Sequence, residues 1–340
     1  MRRALQLAAL GGVAVAPNPM VGAVIVHNGK IVGEGYHRFY GEAHAEVNAV
    51  ESVQQKSLLK DSTMYVTLEP CAHFGKTPPC ADLLVKHQFK RVVIACVDTF
   101  SEVAGRGIER LKENRIEVEV GVLEREARAV NKRFFCYHEK QRPYIILKWA
   151  QTADGFIDRL PNERDKGINW ITQPETKLIT HQWRAQEQAI LVGWRTLKND
   201  NPSLTVREIK GSSPHRYIID PNCLSNPKSA VFTDGNPTTI FVRNNVFAGL
   251  PPNVDVIELN SELNITSILH EIWKKKHLSV FVEGGKHTLQ QFIKENLWDE
   301  ARVYVGDISF HLGIEAPTVK DKDFTKERLG KDQLFIYTNP

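Results

Sequence analysis

The stretch TLEPCAHFGKTPPC, residues 67–80, sets two cysteines at the joins of a strand, a loop and a helix. An apolar segment, Met64–Leu68, runs into Pro70-Cys71, and Pro78-Pro79-Cys80 leads into a helical pattern over 80–88. Upstream, His44-Ala45-Glu46 lies at the start of another helix, which begins near Ala43. One imidazole and two thiols at such junctions form a three-ligand set for zinc, with a fourth position open to water as in catalytic rather than structural sites. A helix N-terminus also favours the thiolate that a metal needs. Glu46 stands two residues from His44, close enough to reach the bound water without holding the metal. Zinc lowers the pKa of that water from about 16 to about 7, and a carboxylate can carry the proton to a leaving amine. Zinc deaminases share H-x-E with P-C-x-x-C, whereas here eight residues separate Cys71 from Cys80.

Only one His/Cys/Cys set of this kind exists, so one zinc per chain is expected. Cys96, Cys136 and Cys223 have no such setting and read as core or surface residues, and five scattered cysteines argue against a disulfide framework. The 340 residues suffice for two domains, and 42% hydrophobic with 25% charged residues is ordinary for a globular chain. A net charge of +4 suits small anionic substrates and is too weak to argue for nucleic acid. No apolar run nears the roughly 20 residues that span a bilayer. The N-terminal apolar stretch is broken by Gln6 and by Gly11-Gly12, and reads as an amphipathic helix over 2–11 rather than a signal peptide. A cytoplasmic protein is expected.

The first 138 residues alternate strand and helix patterns. Val21–Val26 and Ile31–Gly35 flank His27-Asn28-Gly29-Lys30, whose Asn-Gly predicts a type I′ hairpin. Further strands are expected over 64–68, 92–97 and 118–120, giving a largely parallel sheet after the hairpin, and 122–138 reads as one helix. The polar run Glu139-Lys140-Gln141-Arg142-Pro143 marks a domain boundary, so domains of 1–140 and 141–340 are expected. Beyond it, strands begin again at Tyr144–Trp149 and recur near 188–193, 216–220, 238–243, 254–258, 279–283 and 301–305. Helices fall near 174–186, 265–277 and 287–296, and the stretch after Asp307 carries no clear pattern.

The segment 67–80 resembles the bifunctional riboflavin-biosynthesis family, in which a diaminohydroxyphosphoribosylaminopyrimidine deaminase is joined to a 5-amino-6-(5-phosphoribosylamino)uracil reductase. So do APNPMVGAVIV (16–26) and GEGYHRFYGEAHAE (33–46), and the likeness runs through VAGRGI (103–108), LKWAQTADG (147–155), INWIT (168–172), ILVGWRTLKNDNPSLTVR (190–207) and FVEGG (281–285). It implies a cytidine-deaminase-like three-layer α/β/α domain followed by a dihydrofolate-reductase-like α/β domain. Zinc would be held by His44, Cys71 and Cys80, with Glu46 as proton donor and acceptor. Asn18, His37, His73 and Lys76 would contact the deaminase substrate; without the family they read as a turn asparagine, a strand-end histidine and two loop residues.

In the second half the resemblance puts Ala150, Trp170, Thr196, Asp200 and Gly285 around NADPH, and Arg184, Leu204, Arg207 and Glu283 toward the substrate. Backbone N–H groups at Gly284-Gly285 can cradle a phosphate at a helix start, though a plain tight turn has the same sequence. Arg184 and Arg207 would grip the ribose phosphate. Arg243, at a strand end, is a weak candidate for the 2′-phosphate of the cofactor and reads rather as a solvated residue. The chain departs from the family at Asp98-Thr99-Phe100-Ser101, where Asp-Pro-Asn-Pro is usual, at Ile168, where a polar contact is common, and around Leu160–Lys166. The expected partners are a phosphoribosyl pyrimidine and further copies of the chain in a homo-oligomer, with no nucleic acid and no membrane. A nucleic-acid deaminase would need a basic channel interleaved with aromatic residues, which the zinc half lacks. A non-enzymatic scaffold would be expected to have lost a ligand or Glu46, and all four are present.

Overall fold

A computed structural model of the chain describes residues 1–74, 78–99, 105–163 and 169–340. They form two compact units, Met1–Gln141 and Arg142–Pro340. No helix among the described residues is long and apolar enough to cross a membrane.

The first unit runs α1 (Arg2–Ala9), β1 (Gly22–His27), β2 (Lys30–Tyr36), α2 (Ala45–Ser52), β3 (Thr63–Val66), α3 (Cys80–Lys86), β4 (Arg91–Ile94), α4 (Arg106–Glu113), β5 (Glu117–Val120), α5 (Glu124–Val130) and α6 (Lys132–Glu139). Its sheet has the order β2-β1-β3-β4-β5. β1 is antiparallel to both β2 and β3, while β3, β4 and β5 run parallel. Asn28 and Gly29 have φ of 48° and 75°, the two positive values that a type I′ turn needs. Alternation along β1 sends Ala23 and Ile25 to one face, against Ala45, Ala49, Leu84 and Leu111, and Val24 to the other, against Ala4 and Leu7 of α1. Helices therefore cover both faces. α2 lies directly on β2: a Cβ at Gly35 would come within 2.3 Å of the Ala49 nitrogen.

The single helix expected over 122–138 is two. Buried Asn131 sits between α5 and α6 at φ −100°, ψ 23°. Its side chain accepts the Met20 N–H and donates to the Met20 carbonyl, both at 2.8 Å. That pairing with a residue 111 positions away holds Asn131 out of helical geometry and ties down the loop after Asn18.

The second unit runs β6 (Tyr144–Thr152), β7 (Phe156–Asp158), α7 (Pro174–Ala185), β8 (Ala189–Gly193), α8 (Trp194–Asp200), β9 (His215–Ile219), α9 (Ala230–Thr233), β10 (Thr238–Val242), β11 (Val254–Glu258), α10 (Ile265–Lys274), β12 (Ser279–Val282), α11 (Lys286–Lys294), β13 (Glu300–Gly306), β14 (Ile314–Glu315), β15 (Phe324–Leu329) and β16 (Asp332–Thr338). The main sheet has the order β11-β10-β9-β8-β12-β6-β13-β16-β15. All pairings from β11 to β13 are parallel, and β16 and β15 add an antiparallel hairpin. The core packs Ile145, Leu147, Leu191, Phe241, Val280 and Val282 of the strands against Ile265, Leu269 and Phe292 of the helices. Arg142 enters the unit through a bidentate pair with buried Asp299, at 2.6 and 2.8 Å. All six tryptophans of the chain lie in this unit.

Candidate active sites

His44 caps the N-terminus of α2 from an extended backbone (φ −71°, ψ 166°), Cys71 follows β3, and Cys80 opens α3. The fold brings them together. His44 Nδ1 lies 3.6 Å from Cys71 Sγ and 3.3 Å from Cys80 Sγ, and the three donor atoms are all within 4.8 Å of one another. The Cys80 N–H points at Cys71 Sγ, 3.3 Å away, so the start of α3 presents both a thiol and a backbone donor. A side-chain hydrogen bond between the two thiols holds Cys71 well below the usual range, with His44 and the Cys80 N–H adding to it, while the same bond and burial push Cys80 up. Two sulfurs and one nitrogen form a borderline-soft donor set, and among the described residues no fourth His, Cys, Asp or Glu joins the group. This fits a catalytic zinc with one open position.

Glu46, in the first turn of α2, is 3% exposed, and burial pushes its carboxyl up to about 6. His37 and Asn18 lie beside the same group. The His37 ring stands edge-on to His44 at 5.4 Å. His37 Nδ1 meets the Ala43 carbonyl at 3.1 Å and Nε2 meets Asn18 Nδ2 at 3.2 Å, so the neutral ring donates from Nδ1 and accepts at Nε2. Burial lowers the His37 pKa, which favours that neutral form. His73 sits two residues beyond Cys71 on the same loop, and Lys76 and Ile168 lie outside the described residues.

The second unit holds a cavity of about 1000 Å³ at the C-terminal ends of β6, β8, β9 and β12, where parallel α/β sheets bind ligands. Ala150, Trp170, Thr196, Asp200 and Gly285 line it, and so do Arg184, Leu204, Arg207 and Glu283. Two expectations change in detail. Arg184 is largely committed: Nε and Nη2 bind the two Glu283 oxygens at 2.6 and 2.9 Å, and Nη1 reaches the Thr205 carbonyl at 3.3 Å. The Gly285 N–H is taken by the Thr196 hydroxyl at 2.9 Å and is not free to cradle a phosphate. Arg207 is the half-exposed cation, its side chain 46% accessible. Arg243 lines the same cavity.

Residues 1–96 match the zinc-binding region of the cytidine and deoxycytidylate deaminases, and residues 143–333 match the RibD C-terminal domain. The chain is 38% identical to the riboflavin biosynthesis protein RibD of Aquifex aeolicus, over 99% of this chain and 97% of that one. With RibD of Bacillus amyloliquefaciens the identity is 41%, over 91% and 84%. The crystal structure of a diaminohydroxyphosphoribosylaminopyrimidine deaminase/5-amino-6-(5-phosphoribosylamino)uracil reductase from Thermotoga maritima superposes with a TM-score of 0.89 at 35% identity, covering 100% of this chain and 97% of the other.

The chain belongs to the RibD family. It is a bifunctional enzyme of riboflavin biosynthesis, with a zinc-binding deaminase region and a reductase region.

Two residues of this RibD-family chain escaped the sequence reading. Glu69 is buried, and its carboxylate accepts the N–H groups of Gly105 (3.0 Å), Gly107 (2.9 Å), Ile108 (3.3 Å) and Asp98 (3.4 Å). It ties the start of α4 to the Pro70-Cys71 turn, and a Cβ at Gly107 would lie 2.0 Å from the Pro70 carbonyl. The signal was a carboxylate ending an apolar strand. Lys148, in the middle of buried β6, lines the reductase cavity, and its ammonium interacts with Glu283. A lysine inside an otherwise apolar strand was its signal. Burial lowers its pKa, and the charge of Glu283 opposes that.

Three histidines of the second unit, His181 buried and His215 and His277 half-buried, also bear on its pH range. Burial pulls His181, His215 and His277 down to about 4 from the ordinary 6.5. Their neutral forms are built in: His181 Nδ1 accepts the Arg207 N–H at 3.2 Å, and His277 Nδ1 meets the Tyr217 hydroxyl at 3.1 Å. An unfolded chain takes up these protons below about pH 6.5 and the folded one does not. Stability of the unit is therefore full above that pH and falls as the pH drops toward 4. Calorimetry is expected to show its transition at least ~5 °C lower at pH 4.5 than at pH 7.5, and equal midpoints would contradict the neutral assignment.

Proposed function

We propose that residues 1–140 catalyse hydrolytic deamination of 2,5-diamino-6-(5-phosphoribosylamino)pyrimidin-4(3H)-one, and that residues 141–340 reduce the ribosyl group of the product to ribityl. The convergence of His44, Cys71, Cys80 and buried Glu46 on one point carries the first half of this reading. His44, Cys71 and Cys80 would hold a zinc ion, which would supply an activated water for attack on the amino-bearing carbon. Glu46 takes the proton of the water and gives it to the leaving nitrogen, so water enters and ammonia departs. Asn18, with one amide N–H spent on His37, keeps its oxygen for the edge of the pyrimidine. His37 holds that amide and the flank of His44, and His73 and Lys76 supply donors for the ribose phosphate.

In the second unit, Ala150, Trp170, Thr196, Asp200 and Gly285 would hold NADPH, which supplies a hydride to the ribose C1. Leu204, Arg207 and the Arg184–Glu283 pair face the ribosyl substrate. Opening the sugar ring requires one proton, and Lys148, buried against Glu283, is placed to hold it. The rest is positioning of donor and acceptor in one enclosed space. Five free thiols support a cytoplasmic protein. A homo-oligomer is part of the same reading, and sedimentation gives its size.

The test is to supply the diaminopyrimidine ribosyl phosphate to the purified protein with and without NADPH and to identify the products. Deaminated ribosyl product without NADPH and ribityl product with it are expected; an unchanged substrate would sink the reading. The Cys80→Ser variant is expected to lose most of its zinc and its deamination together, because three anchors are the minimum for the site. Full metal content in that variant would remove Cys80 from the ligand set.

A further inference from the structure

The segment Ser203–Arg207 carries Leu204 and Arg207 into the reductase cavity in a conformation that needs support. Leu204 is 2% exposed and has φ of +57°, and Asn201 just before has φ of +41°. A buried branched residue in the left-handed region costs on the order of 1–3 kcal/mol, so its surroundings must impose the shape. Bonds reach the segment at nearly every residue. Arg184 binds the Thr205 carbonyl, Ser213 Oγ accepts the Val206 N–H at 3.0 Å, and His181 accepts the Arg207 N–H. Ser203 Oγ accepts from both Thr205 Oγ1 (3.1 Å) and Arg207 Nη1 (2.9 Å).

The remaining anchor comes from outside the cavity. Arg216, on β9, has no accessible surface, and every one of its N–H groups is used. Nε donates to Thr238 Oγ1 at 2.9 Å, Nη1 and Nη2 bind the Asp234 carboxylate at 2.6 and 2.7 Å, and Nη2 also reaches the Asn236 carbonyl at 2.7 Å. The fifth bond runs from Nη1 to the Ser203 carbonyl at 3.0 Å. The fork is thus locked by Asp234, Thr238 and Asn236, and holds out one N–H at a fixed point to the residue before Leu204. A lysine has neither the planar fork nor the donors to satisfy this set.

We infer that Arg216 is a positioning residue of the reductase, fixing the Ser203–Arg207 segment and through it the affinity for the ribosyl substrate without touching that substrate. This rests on the reading that Leu204 and Arg207 face the substrate. The role makes a distinction that plain structural support does not. Affinity for the ribosyl substrate depends on the segment, whereas deamination in the other unit does not.

The experiment uses the full-length enzyme with the variants Arg216→Lys and Asp234→Asn. In Arg216→Lys the KM for the deaminated ribosyl substrate is expected to rise about tenfold or more, the scale of one or two lost charge-assisted bonds. The KM for NADPH and the deamination rate stay within about twofold of wild type. Asp234 is partly exposed, so Asp234→Asn is the milder change and remains readable if the lysine variant does not fold. There the Val206 and Arg207 amides are expected to exchange hydrogen about tenfold faster, and the ribosyl-substrate KM to rise about threefold, as the fork loosens. A folded Arg216→Lys enzyme with unchanged ribosyl-substrate KM overturns the inference, and so does Asp234→Asn with wild-type exchange at those two amides. A wild-type enzyme unable to reduce the substrate with NADPH overturns the functional reading beneath it, a result distinguishable from either of these.

Discussion

The Glu46→Gln enzyme is expected to keep its zinc and lose deamination by at least ~10²-fold, the usual contribution of a general acid–base residue. Glutamine matches glutamate in size, and the site is only 3% exposed, so packing changes little. The amide can neither take up nor release a proton at the pH of catalysis, which is the only property removed. His44, Cys71 and Cys80 are untouched, so metal content should equal that of wild type. Reduction of deaminated substrate supplied from outside should also be unchanged, because the ten residues assigned to that step, Lys148 included, all lie beyond residue 141. Zinc assay, ammonia release and NADPH consumption on one preparation make the check. Retained deamination would take Glu46 out of the mechanism; loss of both activities in a folded protein would mean that the two units do not work separately.

The second large effect is expected at Glu283. Its carboxylate is buried, and burial alone would raise its pKa. The Arg184 charge and hydrogen bonds, with Lys148 and His181 behind them, outweigh that and hold it at about 2. Glu283→Gln leaves the Arg184 guanidinium and the Lys148 ammonium in the same enclosed volume without a counter-charge. Removing one member of such a pair typically costs about 3–5 kcal/mol. The urea midpoint of the reductase unit should fall accordingly, and reduction should be lost while deamination persists. A variant as stable as wild type would mean that the pair is not buried in solution.

The legible parts of this chain were those where chemistry or periodicity leaves few choices. Three soft ligands at strand–helix joins pointed to zinc, and the structure gathers them within 4.8 Å. The parallel strands of both sheets were readable because most buried parallel strands are short, continuous apolar runs. What escaped lacked such a signal. The apolar pattern of 122–138 continues from Ala127 and Val130 to Phe134 and Phe135, and only the side-chain bonds of Asn131 to Met20 break it. β15 is an edge strand whose first five residues are all exposed, so it shows no alternation. α8 buries only Leu197 and is too short to show a period. The resemblance placed Arg184 near the substrate but could not show that Glu283 already occupies its fork. Glu69 and Arg216 satisfy backbone groups far away in sequence, and a partner set of that kind becomes visible only once the chain is folded.

The distribution of tryptophan gives the molecule a built-in optical label. All six indoles belong to the Arg142–Pro340 unit, and Trp149, Trp170 and Trp194 line its cavity, where the dihydronicotinamide ring of NADPH would absorb in the range of indole emission. Excitation at the red edge of the protein spectrum therefore sees the reductase half alone. Cofactor arrival would register as quenching, and unfolding of that half as a spectral shift, while the deaminase half stays dark. One cuvette can then follow ammonia release from a silent domain and occupancy of a luminous one, without a dye or an engineered probe.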